Sequence, residues 1–266
     1  MQGLLFTPWL LVIMFFVALL AGFIDSIAGG GGLICLPALL ATGLSPSHVL
    51  ATNKLQAMGG SFSASLYFVR RGIVRLSEQK LNILCTLIGS ILGALLIQFI
   101  RAELLRQLLP LLIICIGCYF LLTPNLGEQD RQRRLAPLGY ALVGGGCLGF
   151  YDGFFGPGAG SFYALAFVTL CGFNLAKATA HAKVLNFTSN FGGLLFFILG
   201  HQVVWSLGVV MLVGQVCGAR LGACMVLSRG QRMIRPMVVI VSLIMSSKLL
   251  YDNPALPLHH WLSGLF

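Results

Sequence analysis

The segment Gly22 to Lys54 recurs, in order, as Gly149 to Lys183. The first copy reads Gly-Phe-Ile-Asp ending at Asp25, then four glycines from Gly29 to Gly32, then Gly43, then Ala-Thr-Asn-Lys ending at Lys54. The second reads Gly-Phe-Tyr-Asp ending at Asp152, then Gly156-Pro157-Gly158-Ala159-Gly160, then Gly172, then Ala-His-Ala-Lys ending at Lys183. Asp25 and Asp152 lie 127 positions apart, whereas Gly43/Gly172 and Lys54/Lys183 lie 129 apart, so two residues separate the copies just after the turn. Gly89 and Gly93 continue the match as Gly214 and Gly218, and Pro110 as Pro236. A duplicated unit that carries an acid, a glycine break and a lysine in each copy points to a transport site when the unit lies in a membrane.

The composition places it there. Of the 266 residues 58% are hydrophobic and 9% are charged, against about 25% charged in soluble domains. Apolar stretches near 8–28, 81–100, 104–122, 136–150, 203–219 and 236–250 alternate with charged connectors. Several reach the length of about 20 residues that a spanning helix needs. The stretch 8–28 has no basic region before it and no small-residue cleavage site after it, so it reads as retained structure. The net charge of +10 sits in short loops, where it sets orientation instead of attracting nucleic acid.

The loop charges also predict how the two halves are related. Loop 70–80 carries Arg70, Arg71, Arg75 and Lys80; loop 123–135 carries Arg131, Arg133 and Arg134; loop 228–235 carries Arg229, Arg232 and Arg235; loop 100–106 carries Arg101 and Arg106. Parallel halves would divide these basic residues 7 against 5, and inverted halves 10 against 2. The positive-inside rule selects inversion, with the basic loops cytoplasmic and both termini periplasmic. Inversion requires an odd number of crossings before each final pair of helices. The prediction is therefore an all-α polytopic membrane protein with two inverted repeats, 1–122 and 136–266, joined by a cytoplasmic linker over 123–135. Each repeat is a glycine-turn hairpin plus three spanning helices. The returning arms, 33–42 and 161–171, are short, and full helices are expected to begin at Ser45 and Asn174, both good N-cap residues. Non-helical backbone at membrane depth is tolerated only inside protein or along a watery cavity.

Charge at the bilayer centre costs roughly 2.5–3.5 kcal/mol on insertion scales, so Asp25, His48, Lys54, Asp152, His181 and Lys183 require partners or a task. Asp25 and Asp152 either hold their hairpins, by accepting backbone N–H groups or pairing with the lysines, or carry a coupling proton; His181 stands in the same group. Lys54 and Lys183 would attract an anion. Asn53, Gln56, Asn186 and Asn190 would orient its oxygens, with Ser189 nearby, and the turn N–H groups of Gly30, Gly31 and Gly158 would add donors. Lys183, Asn186 and Asn190 share one helical face. The other reading of the Asn and Ser set is interhelical hydrogen bonding. Lys177 falls at a helix start. Arg220 either lines a cavity or reaches toward a loop, and Tyr67, Phe68 and Tyr151 read as packing or interface residues.

No metal centre and no cofactor is expected. Cys115 and Cys118 form a C-x-x-C match inside an apolar run, and His259-His260 lies in a tail, so neither has the context of a ligand set. The chain does not read as an enzyme: Gly158 to Phe162 is not a nucleophile elbow, and no Lys-Ser/Thr follows Gly29–Gly32 to complete a P-loop. The expected partners are a small anionic substrate and the lipid bilayer. The Gly89-x-x-x-Gly93 and Gly214-x-x-x-Gly218 pairs suit helix packing either within one chain or in a homo-oligomer. A passive anion channel with the same lining is the alternative to a transporter.

The motifs around Asp25, Lys54, Asp152 and Lys183, by their order, spacing and paired occurrence, resemble those of the sulfite exporter TauE/SafE family over essentially the whole chain. The resemblance implies a bacterial inner-membrane transporter that exports sulfite or an organosulfonate, with proton coupling. It carries over the glycine turns, Asn53-Lys54 and Lys183. Pro157 makes the second turn stiffer than the first.

Overall fold

The structure is a computed structural model that describes residues 7–97 and 129–229, with Pro236 and Ile240. The apolar stretch 104–122, almost all of 236–250, the Cys115/Cys118 pair, Pro110 and His259-His260 lie outside the described residues. The first half contains α1 (Pro8–Ala28), α2 (Gly31–Leu40), α3 (Pro46–Arg70) and α4 (Leu76–Leu96). The second opens with a helical run in three pieces, Pro137–Tyr140, a π-helical Ala141–Cys147 and Leu148–Phe154, together called α5. It continues through α6 (Ala159–Cys171), α7 (Leu175–Leu199) and α8 (Trp205–Arg229). The described residues contain no strand.

Among the described residues four helices, α1, α4, α7 and most of α8, are long and apolar enough to cross a membrane. Their outer faces carry exposed Trp9, Phe16, Leu84, Ile88, Leu195 and Val213, the surface expected where lipid replaces water as the neighbour. α3 matches α7 in length, at 25 residues, but is more polar. Residues 51–56 of α3 and 178–186 of α7 are buried without a break. A helix buried on every side is a central element, and these two stretches bring the polar residues of both halves into the middle.

Close packing follows the paired glycines. Gly214, Gly218 and Gly222 of α8 lie against Phe15, Leu19 and Phe23 of α1, in that order. Gly89 and Gly93 of α4 lie against Gly146, Phe150 and Phe154 of α5, also in order. Gly22 meets the backbone of Gln215, and Gly149 that of Thr86. These contacts need a hydrogen where other residues have a Cβ, which is how small residues let membrane helices approach. The two small-residue pairs thus pack helices within one chain. The same contacts give directions. α1 and α8 run the same way, as do α4 and α5. α3 runs with α8: Gly59 meets Leu212, the Ser63 hydroxyl donates to the Val216 carbonyl at 3.0 Å, and Arg220 lies over the Tyr67 ring at 4.4 Å. α7 runs with α4, since His181 meets Gln79 and Gly192 meets Ser90. α3 and α7 pass in opposite directions: the Phe62 and Phe187 rings are 5.3 Å apart, while Lys54 lies beside Gly193.

The hairpins form where the glycines predict them. Gly29 ends α1 at φ 78 and Gly158 precedes α6 at φ 77, left-handed positions that glycine occupies without a Cβ penalty. The returning arms start two residues earlier than expected, at Gly31 and Ala159, because the first helical turn is built from the turn residues themselves. The ten residues of α2 rise about 15 Å, half of a hydrocarbon layer of about 30 Å. Both full helices begin where expected, with Ser45 and Asn174 at their N-cap positions, but only one of the two side chains bonds a helical N–H. Asn174 accepts the Lys177 N–H at 2.9 Å, whereas the Ser45 hydroxyl faces Ser47 and His48 and caps nothing. Lys177 sits in the first turn of α7, 3.3 Å from Asp130. The π-helical stretch, in a segment rich in glycine, has no counterpart in α1. Arg220 is exposed and stacks on Tyr67, so it does not line the buried centre. Tyr67 and Phe68 are buried packing residues.

Candidate functional site

The two hairpin tips meet at the centre of the molecule. Gly29 lies against the backbone of Gly160 and Ser161, and the Ser161 hydroxyl donates to the Ala28 carbonyl. Gly32 sits beside Asn53 and Pro157, and Gly160 beside Asn186. Each tip is therefore flanked by an amide from a central helix. The first turns of α2 and α6 both start here, so the positive ends of two short helices converge on this point.

The charged residues cross between the halves. Lys54 of α3 donates to the Asp152 carboxylate at 2.7 Å and to the Asp152 carbonyl. Lys183 of α7 donates to Asp25 Oδ2 at 2.8 Å. Both lysines are at most 3% exposed, so neither stands open as a free cation. Asp25 Oδ1 also accepts the Gly31 N–H at 3.1 Å. Asp25 thus meets both structural roles expected of it, holding its own turn and pairing with a lysine. Asp152 pairs with Lys54 and accepts from the Ser189 hydroxyl. Gly30 is the N-cap of α2 and Gly158 of α6.

The uncharged candidates are partly committed to one another. Gln56 Nε2 donates to Asn53 Oδ1 at 2.7 Å, and Cys35 Sγ reaches Gln56 Oε1 at 3.4 Å. Asn190 Nδ2 donates to the Asn186 carbonyl and to Asn186 Oδ1, at 2.8 and 2.6 Å. Asn53 Nδ2 and Asn186 Nδ2 both face the hairpin tips. His181 stands apart from the tips: it meets Gln79 of α4, which in turn accepts from Asn82 at 2.9 Å, and it packs against the stacked rings of Phe167 and Phe173. His48 is only partly buried near the start of α3. The arrangement brings Asp25, Asn53, Lys54, Asp152, Lys183, Asn186 and the glycine tips together and leaves His181 at a separate contact.

Sequence reasoning did not assign Ser161, Gln79 or Tyr163. Ser161 ties one hairpin to the other, and its signal was a hydroxyl directly after the second glycine turn. Gln79 is a buried amide in the polar first turns of α4. Tyr163 is fully buried on α6, and its hydroxyl lacks a hydrogen-bond partner although Ser189 and Thr86 lie close.

The fold and this centre define a polytopic helical membrane protein with a charge-paired interior. The chain belongs to the TauE/SafE family: the model "Sulfite exporter TauE/SafE" matches residues 14–249. Among curated relatives, the "Probable membrane transporter protein YfcA" of Escherichia coli K12 is 68% identical over 96% of this chain and 95% of its own. A "Probable membrane transporter protein" of Haemophilus influenzae is 55% identical over 92% of this chain and 96% of its own. The "Probable membrane transporter protein ORF9" of a Sinorhizobium species is 47% identical over 98% and 99%. No solved structure matches the chain.

Proposed function

We propose that this protein is a secondary transporter of the bacterial inner membrane. It exports a small sulfur-containing anion, sulfite or an organosulfonate, and is coupled to protons through Asp25 or Asp152. The observation that carries the reading is the crossing of both buried ion pairs between the halves, at the point where the hairpin tips meet. Family membership supports transport, and the family description supports the sulfur anion.

In this reading the halves are inverted repeats. The helix directions support that: α1 and α3 run with α8, while α4 runs with α5 and α7, so corresponding helices of the two halves point in opposite senses. Both termini are then periplasmic. Lys54 and Lys183 supply positive charge, the amides of Asn53, Gln56, Asn186 and Asn190 orient oxygens, and the N–H groups of Gly30, Gly31 and Gly158 complete a donor set suited to an oxyanion. Rocking of one repeat against the other would part the crossed pairs and open the centre to alternate sides.

The test is efflux of labelled sulfite, or of a simple sulfonate, from proteoliposomes, with and without an imposed pH gradient. Gradient-dependent efflux with counterflow is expected. Efflux indifferent to the gradient and without counterflow would indicate a passive channel instead. Unchanged flux in a folded Lys54→Ala, Lys183→Ala variant would remove the anion-site assignment.

A further inference from the structure

Among the described residues the buried Asp, Glu, Lys and Arg side chains are Asp25, Lys54, Asp152 and Lys183, and their formal charges cancel. An anion arriving here meets two obstacles. Each ammonium is already held by a carboxylate, and an added negative charge in a closed interior is costly unless it is balanced. Protonation of one carboxylate removes both obstacles at once: it frees the lysine and restores neutrality.

Asp152 is built to accept that proton. The Ser189 hydroxyl lies within hydrogen-bond reach of both Asp152 Oδ2 and the Asn186 carbonyl, the latter at 3.1 Å. A hydroxyl has one proton to give and lone pairs to accept with. When Asp152 is ionised, Ser189 donates to it. When Asp152 is protonated, its O–H donates to Ser189 Oγ, and Ser189 turns its own proton to the Asn186 carbonyl. Both states are satisfied without moving the backbone. The groups facing Asp152 are Lys54 from α3, Ser189 from α7 and the backbone at Gly156, and the buried Tyr163 hydroxyl of α6 lies close to Ser189. Tyr151 on its own helix turns its hydroxyl to the Pro157 carbonyl at 2.7 Å.

Asp25 has no such partner. Its Oδ1 is held by the Gly31 backbone N–H, which cannot reverse, and the residues 129 positions before Ser189 and Tyr163 are Gly60 and Ile34.

Resting on the transporter reading above, we propose that the anion and the proton cross together, in the same direction, one proton for each anion, with the proton on Asp152 and the anion on the Lys54 it releases. Export would then run down the anion's own gradient and carry protons out. Transfer of a single-charged anion would be electroneutral.

The test uses the full chain in proteoliposomes that contain a pH-sensing dye. The external probe is an alkanesulfonate, whose single charge is fixed and which has no membrane-permeant acid form. As the sulfonate enters, the lumen should acidify by one proton per anion, at a rate indifferent to a potassium–valinomycin potential. In Asp152→Asn the proton-to-anion ratio should fall from one to near zero, whereas in Asp25→Asn whatever flux remains should keep a ratio of one. Lumen alkalinisation, influx without a pH change, or a ratio lost in Asp25→Asn alone would overturn the proposal while leaving transport itself standing. If Asp152→Asn does not fold, the wild-type sign and ratio still decide the direction. Ser189→Ala then decides the site: a shifted pH profile of flux supports Asp152, and an unchanged one refutes it. Absence of flux for sulfonate, sulfite and thiosulfate alike would overturn the transporter reading and this proposal with it.

Discussion

The two hairpin ends share a frame and differ in what fills it. Each has a left-handed glycine at its tip, a short returning helix, and a carboxylate bound to a lysine of the opposite half. Yet Asp25 is fastened to a backbone N–H, while Asp152 is held by a hydroxyl that can turn. Where α3 has Thr52, receiving the Val204 N–H at 3.2 Å, α7 has His181 against Gln79. Asn174 caps its helix and Ser45 does not. The glycines that set the backbone path are duplicated, whereas the polar groups around each carboxylate have diverged. In the proposed coupling, the acid fastened to backbone stays structural and the one held by the hydroxyl changes its state.

The largest effect should come from breaking one crossed pair. Lys54→Ala strands the Asp152 carboxylate in a buried site and should cost about 3–5 kcal/mol, and adding Asp152→Ala should restore part of the loss. Thermal unfolding in detergent measures both, and equal losses in the single and double variants would mean the pair is not a unit.

The next comparison separates the hairpin tip from an ordinary helix end. Gly29 has φ 78 and is packed against Gly160 and Ser161, while Gly43 has φ 82 with open space around it. Gly43→Ala should cost about 1–2 kcal/mol from the left-handed backbone alone. Gly29→Ala carries the same strain plus displacement of the second hairpin, and should cost more and impair flux. Equal melting temperatures for the two variants would show that the tips do not bear on each other.

Smaller again is the cap difference. Asn174→Ala should destabilise by about 1 kcal/mol, and Ser45→Ala by less, since its hydroxyl satisfies no helical N–H.

The smallest effect is a pH dependence at Asp130, which lies outside the helices. The Asn174 backbone N–H, assisted by Lys177, holds its carboxyl below the usual range, with slight burial opposing. Its contribution is therefore present above the unfolded value of about 3.9 and is lost as pH falls through the depressed folded value. Because the group is half exposed, solvent screening keeps the effect small. A stability titration below neutral pH in wild type and Asp130→Asn should differ only in that acid window.

Much of the frame was legible because glycine is informative about backbone. The runs after Asp25 and Asp152 marked both hairpins within two residues, and Gly89, Gly93, Gly214 and Gly218 marked helix contacts. Their partners were not legible, since a small-residue pair states that something approaches closely without stating what. The identity of the ion pairs was hidden for a similar reason. Spacing placed an acid and a lysine in each copy, and only the meeting of α3 with α5 and of α7 with α1 made the pairs cross. Asn186 and Asn190 were rightly put on one face, but their bond to each other depends on rotamers. Ser161 and Tyr163 were passed over because nothing in the sequence brings α6 to the tip of α1 or to the Asp152 site.

The most direct test of the crossed centre is a set of double-mutant cycles read by thermal unfolding. Lys54 with Asp152 and Lys183 with Asp25 should each show a coupling energy well above the roughly 0.5 kcal/mol within which independent sites add, while Lys54 with Asp25 should fall inside that margin. Strong coupling within a half, Lys54 with Asp25 or Lys183 with Asp152, and none between halves would contradict the arrangement on which the account rests.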